Sequence, residues 1–461
     1  MTTRALVLGG SMTGMLAAAV LAEQVDEVVV LDRDRYPSSP GPRRGVPQAR
    51  HAHLLMSGGA RIIDDLLPGT TDRLVAAGAH RLGHPTDVVA LTSQGWLRRL
   101  PATQYVLTCS RGLLDHVVRE RALASGRIEV RTGTEITALL GDASGVTGAA
   151  VRDVDTGDTG ELSADLVLDA TGRGTRAAHW FTELGLPTVA EEVVDAGLAY
   201  ASRIFRAPAG AESGFPLVLV SPDPTTGRPG QGGAVVPIED GRWLVTLGGT
   251  RGGTPPTGDD EFAGFARELR HPIVAELIAA ATPDGPVHGF RGTANRRRRF
   301  ELVEPWPAGF LVIGDALATF NPVYGHGMSV AAFGAAALRD GLRDGRETAD
   351  IQTAIARTVN DAWAMAIAQD LRYPDAIGPR PAAGAGIKHW LSDRMIRTAT
   401  TRPAVAEALV DVMTLAKPAA TLGAPRVLLT TLLGPGRRTA TRPPLGEQER
   451  AVLAGRPAST G

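Results

Sequence analysis

Between residues 4 and 32 the chain reads as strand, glycine turn, helix and strand, and no other stretch constrains the fold so tightly. Residues 4–8 are a short, mostly apolar run suited to a central parallel strand, and Gly9-Gly10-Ser11-Met12-Thr13-Gly14 follows at once. An Ala/Leu-rich helix is predicted over 14–23 and a second strand over 27–31, so a βαβ unit begins almost at the first residue. In such a turn the first glycine makes the bend and a small middle residue lets the backbone approach a diphosphate. The last glycine lets helix and strand pack closely. Gly9 and Gly14 fill the outer places; Ser11 takes the middle one and can itself donate to a phosphate oxygen. The helix N-terminus offers free N–H groups and a positive dipole end. Asp32 closes the second strand, with Arg33 beside it, where an acid would accept ribose hydroxyls. This unit predicts dinucleotide binding; alone it leaves FAD and NAD open.

A second segment separates them. The buried-type strand 310–313 runs into Gly314-Asp315-Ala316, and Asn321-Pro322-Val323-Tyr324-Gly325-His326-Gly327-Met328 then leads into a helix. A carboxylate at Asp315 can meet the polyol of a ribityl chain, and the following helix N-terminus can stabilise charge on a reduced flavin ring. A nicotinamide cofactor has no ribityl chain, so FAD is the predicted ligand. The competing role for Asp315 is a plain helix cap.

The bulk properties fit an ordinary enzyme. The 461 residues are 43% hydrophobic and 21% charged with net charge −1, which gives no reason to expect nucleic acid or a membrane as partner. Cys109 is the only cysteine, so an intramolecular disulfide is excluded, and its strand-like context predicts a buried structural thiol. The apolar run after the first turn is too short to span a bilayer and no signal peptide is evident, so a cytoplasmic location is expected. The predicted fold is α/β. A discontinuous Rossmann-like, GR2-type FAD-binding domain covers 1–80, 110–185 and 300–345. A mixed β-sheet substrate domain covers 81–109 and 186–299, a helical region 346–433, and a flexible tail 434–461. The run Arg296-Arg297-Arg298-Arg299 reads as a solvated strand edge, with a dock for an acidic carrier protein as the alternative. His51 and His53, two apart in a loop, are expected to pack or hydrogen-bond rather than catalyse. No metal site is expected, and oligomeric state is not legible.

The fingerprint, the Val30-Leu31-Asp32-Arg33-Asp34 strand end, Asp169-Ala170-Thr171-Gly172-Arg173-Gly174-Thr175-Arg176 and the Gly314-Asp315 motif together resemble FAD monooxygenases of the para-hydroxybenzoate hydroxylase fold. The stretches 44–55, 67–74 and 321–328 are further similar to the flavin epoxidases of polyether ionophore biosynthesis, the monensin and lasalocid type. That resemblance implies that Arg44 and Gly45 lie along the flavin, on the other side of the ring from 325–328. It implies that Arg111 bonds the cofactor from a helix start, and that Asp169, Gly172 and Pro322 belong to the cofactor site. The implied reaction uses molecular oxygen and either NAD(P)H or a separate flavin reductase. A flavin C4a-hydroperoxide would then epoxidise alkenes of a linear polyene polyketide, free or carrier-tethered. Hydroxylation of an aromatic or terpenoid is the alternative. The segment 169–176 lacks the group's usual second Asp-Gly pair, which leaves the electron donor open. A flavin halogenase of the same fold would need a lysine well before the C-terminal third, and none precedes Lys388.

Overall fold

A computed structural model describes residues 3–379 and 384–455. Five parallel strands form the central sheet in the order Phe310–Val312, Leu166–Asp169, Arg4–Leu8, Glu27–Asp32 and Ile128–Thr132. Ala5 to Leu8 and Val28 to Leu31 are fully buried, because the helix Met12–Leu21 and the antiparallel strands Thr134–Asp142 and Gly145–Asp153 pack on this sheet and leave no polar alternation. The register sets Leu8 beside Leu31 and Asp169, and Asp169 beside Val312. The carboxyl ends of the strands, and the loops that leave them, therefore share one edge, where open α/β sheets bind ligands. The helices Met12–Leu21 and Gly327–Arg343 pack against each other beside that sheet.

A larger mixed sheet stands apart, with its own core built on Phe205, Val218, Val235, Trp243 and Phe262. Ala199–Arg206, Arg242–Gly249, Gln231–Ile238 and Leu217–Val220 are antiparallel neighbours, and Val88–Thr92 joins Leu217–Val220 in parallel. A three-stranded sheet of Leu54–Met56, Gln104–Thr108 and His80–His84 adjoins it, so the boundary expected at residue 80 falls inside a strand. Cys109 follows that sheet and is buried.

Two features differ from the sequence-based expectation. The arginine run is no solvated edge: Asn295–Arg298 is the middle strand between Glu191–Val194 and Ala318–Thr319. Arg296 and Arg298 meet Glu191, Arg299 meets Glu192, and Arg297 and Arg298 are buried. The acids of the neighbouring strand supply partners that local pattern does not show. The segment 434–455 is not an unstructured tail either. It carries the helix Glu447–Leu453, whose Val452 enters the core of the large sheet and whose Glu449 accepts from Arg99 at 2.6 Å. The rest of that tail, 456–461, lies outside the described residues.

Candidate active site

The glycine turn has the geometry its residues predict. Gly9 sits at φ +95°, and a Cβ there would lie 2.6 Å from the carbonyl oxygen of Ala170. A Cβ on Gly14 would overlap the carbonyl oxygen of Gly9. Ser11 caps the helix Met12–Leu21 in extended backbone, yet its side chain makes no cap bond and no acid occupies the first turn. The first N–H groups of that helix therefore remain for an external anion.

Asp32 stands across this turn and is tied to it. Its Oδ2 accepts from the Gly10 N–H at 2.9 Å, from Arg43 at 2.7 Å and from the Tyr36 hydroxyl at 3.3 Å. The Tyr36 ring lies between the guanidinium groups of Arg43 and Arg119, 5.2 and 4.7 Å from its centroid. Tyr36 and Arg43 were not legible as site residues; the RYP and PRR sequences around them give no local signal. The neighbours singled out from sequence point elsewhere. Arg33 is exposed and reaches towards Glu135, 3.9 Å away. Arg44 is exposed, and the Gly45 N–H donates to Asp34 at 2.5 Å. Gly45 thus sits beside Asp34, two residues from Asp32. The chain needs the turn Pro47–Arg50 and the strand Leu54–Met56 before it reaches the loop 325–328: a Cβ on Gly325 would meet Met56 Cε at 2.9 Å and the Leu54 carbonyl oxygen at 3.6 Å.

The second segment closes on the first. Gly314, at φ +63°, lies so close that a Cβ there would sit 2.6 Å from Thr13 Cγ2. Asp315 follows, its carboxylate making no hydrogen bond to a described residue, and Gly172 and Gly327 lie directly beside it. Burial raises its pKa, and the Arg173, Arg111 and Arg298 guanidiniums partly offset that shift. A half-buried carboxylate with no protein donor, between a cationic cluster and two helix starts, fits the polyol of FAD. It does not behave as a helix cap. Arg111 opens the helix Arg111–Leu123 and bonds Asp115 at 2.8 Å, and its charge acts on Asp315. Asp169 is not free for the cofactor: its carboxylate is consumed by the Thr171 N–H and the Thr171 and Thr175 hydroxyls. It shapes the 170–175 turn under Gly9, and Gly172 makes that turn at φ +79°.

The loop from Pro322 to Gly325 is held from below by a buried network. Asp370, from the helix Asn360–Asp370, accepts from the Asn295 amide at 2.6 Å, the Tyr324 hydroxyl at 2.5 Å and the Asn321 amide at 3.2 Å. The Tyr200 hydroxyl donates to Asn321 Oδ1 at 3.1 Å, which links the loop to the large sheet. Asp370 gave no sequence signal, since an acid at a helix end usually faces water. His326 donates from Nε2 to the Met413 carbonyl at 3.1 Å, and Met328 packs in the core just beyond it. On the other wall His51 bonds Ser202 at 2.8 Å and His53 bonds the His51 carbonyl at 2.8 Å. They hold the 51–56 segment to the sheet, as expected.

Burial takes His51, His53, His84 and His326 down to about 4, so all four are neutral at neutral pH. The sign follows: the unfolded chain binds protons near 6.5 that the folded chain refuses until about 4. Stability contributed by these groups is complete above about 6.5 and is lost as pH falls towards 4, by roughly 1–2 kcal/mol for each by pH 5. Urea unfolding at pH 7 and pH 5 should show that loss; equal midpoints would contradict the burial of these rings.

A Rossmann-type sheet carrying two glycine segments and an unpaired carboxylate at one edge defines a flavin-dinucleotide fold. The chain belongs to the FAD binding domain family, which it matches over residues 2–344. It is 34% identical over 427 residues to Protein Rv3254 of Mycobacterium tuberculosis, covering 87% of each chain. It is 25% identical over 339 residues to squalene monooxygenase of Mus musculus, covering 71% of this chain and 52% of that protein. Among solved structures it shares its fold with p-nitrophenol 4-monooxygenase PnpA from Pseudomonas putida (TM-score 0.62, 18% identity, covering 90% and 99%). The flavin-dependent brominase Bmp2 is comparable (TM-score 0.63, 16% identity, covering 89% and 94%).

Proposed function

We propose that this chain is an FAD-dependent monooxygenase that inserts oxygen into alkenes of an apolar, linear polyene, in the manner of polyether biosynthesis. The observation that carries the reading is the chemistry of the walls around residues 325–328. Ala52, Leu54 and Met56 pack on the same apolar cluster as the sheet residues Leu219 and Ala234, and the histidines there are neutral. Phenol hydroxylation needs a base near the ring; an alkene needs none, and an apolar, water-poor wall suffices. The bound cofactor would supply two-electron chemistry with oxygen, using NAD(P)H or a reductase as donor. Asp315 and the N–H groups after Ser11 would bind it, Arg111 would bring positive charge to it, and the Asp370 network would fix the loop against it. A cavity of about 190 Å³ is walled by Tyr200, Phe290, Pro255 and Arg291, and Tyr200 joins that wall to Asn321.

Incubation of the FAD-loaded protein with a polyene, a reductant and labelled oxygen, followed by mass spectrometry, tests the reading. The expected product carries one labelled oxygen atom for each alkene attacked. Turnover of flavin with no labelled product, or label on an aromatic ring instead, would overturn the alkene assignment. Asp315→Ala should weaken FAD binding by about tenfold to a hundredfold, since one charge-assisted contact is worth roughly 1.5–3 kcal/mol. Equilibrium flavin fluorescence reads that change directly, and an unaltered affinity would remove Asp315 from the site.

A further inference from the structure

Large apolar side chains exposed to water concentrate at one place far along the chain. Ile387 and Trp390 on the helix Ala385–Ala399, and Leu429, Leu432 and Leu433 on the helix Pro425–Leu433, are each 53% to 76% exposed. Ile387 and Trp390 are three residues apart, and the leucines three or four, so each set shares a helix face. The two sets adjoin: Arg394 donates from Nε to the Thr431 carbonyl at 2.9 Å, and its guanidinium lies 5.6 Å from the Trp390 ring. Scattered exposed apolar residues need no explanation, but five large ones on two touching helices do.

The charge of this region departs from that of the molecule. Residues 384–442 hold nine Lys or Arg against three Asp or Glu, a surplus of six in a chain of net charge −1. Both lysines of the chain lie here. Asp393 and Asp411 are already paired, with Arg372 and Lys417. Lys388, Arg397, Arg426, Arg437 and Arg438 are exposed. Arg397 follows Trp390 by two helical turns and Arg426 precedes Leu429 by one, so the cations flank the apolar stripes.

We propose that this helix pair lies on the headgroup plane of a bilayer bearing anionic lipids, with the leucines and Trp390 entering the interface. Basic side chains at the flanks of a protruding Trp/Leu face are the arrangement that binds such a surface. A second copy docked symmetrically on the same patch would bring two cationic surfaces together, which disfavours that occupant. No described helix is long and apolar enough to cross a membrane, so the contact would be peripheral. This replaces the expectation, drawn from net charge, of no membrane partner: an overall charge near zero hides a local surplus. The inference does not depend on the substrate.

The test is sedimentation of the full-length, FAD-loaded protein with vesicles of phosphatidylcholine alone or with phosphatidylglycerol added. Binding to the anionic vesicles should be at least about tenfold tighter and weaken with salt. The double variant Leu432→Glu, Leu433→Glu should lose at least about tenfold, since it places charge where apolar area entered the interface. Both residues are exposed, so the variant should melt as the parent does. A blue shift of fluorescence on binding, absent in Trp390→Phe, would place that indole in the interface. Equal binding to both vesicle types, no binding, or full binding by the double variant would each overturn the proposal. So would dissociation of an oligomer by the same variant, which would make the patch an interface between copies.

Discussion

Gly14→Ala is expected to yield a folded, colourless protein whose FAD affinity is reduced by about a hundredfold, or roughly 2.7 kcal/mol. The added methyl would overlap the carbonyl oxygen of Gly9 and stand 3.4 Å from Val7 Cγ1. Neither neighbour can give way, because the Gly9 N–H is bonded to the Leu31 carbonyl and Val7 is fully buried between strands. The helix Met12–Leu21 must therefore move off the sheet, and its N–H groups move with it. Repacking of this kind costs roughly 1–3 kcal/mol of stability as well. Gly126→Ala provides the comparison: unlike the helical Gly14 it sits at positive φ, +67°, but an added Cβ there meets nothing within 4 Å. It should keep full FAD uptake and lose about 1 kcal/mol or so. Flavin titration with circular dichroism checks both, and yellow, fully loaded Gly14→Ala protein would refute the packing argument.

Asp370→Leu is expected to lower stability by about 3–5 kcal/mol, because it strands the buried amides of Asn295 and Asn321 and the Tyr324 hydroxyl without an acceptor. Asp370→Asn retains the shape but swaps half of the acceptor capacity for a donor. It should fold, take up FAD and show a displaced flavin absorption band, since Asp370 bonds the loop that the proposed function sets against the cofactor. Turnover should fall by about tenfold, the consequence of a misplaced loop. Urea unfolding and visible spectra of the two variants measure these effects. Spectra identical to the parent's, with an unchanged unfolding midpoint, would show that the network holds nothing in place.

The two glycine segments were legible because their requirements are local. A positive φ at Gly9 and Gly314, a helix start without an acid, and an acid at a strand end are properties of neighbours along the chain. The same locality hid Arg43. Adjacent loop residues look equivalent in sequence, while a turn directs Arg43 inwards and Arg44 to solvent. Asp169 also looked like a ligand for the cofactor, until two threonine hydroxyls two and six residues on claimed its oxygens.

What amino-acid order determined alone was the βαβ unit, the flavin dinucleotide as ligand and the place of Asp315, since steric rules act over a few residues. Only the tertiary structure decided that Asp370 supports the loop, that Glu191 and Glu192 neutralise the arginine run, and that the C-terminal segment docks through Glu449. Those contacts join residues 46 to 350 positions apart. Burial and charge pairing at such separations depend on how the whole chain packs, and no window of neighbouring residues contains them.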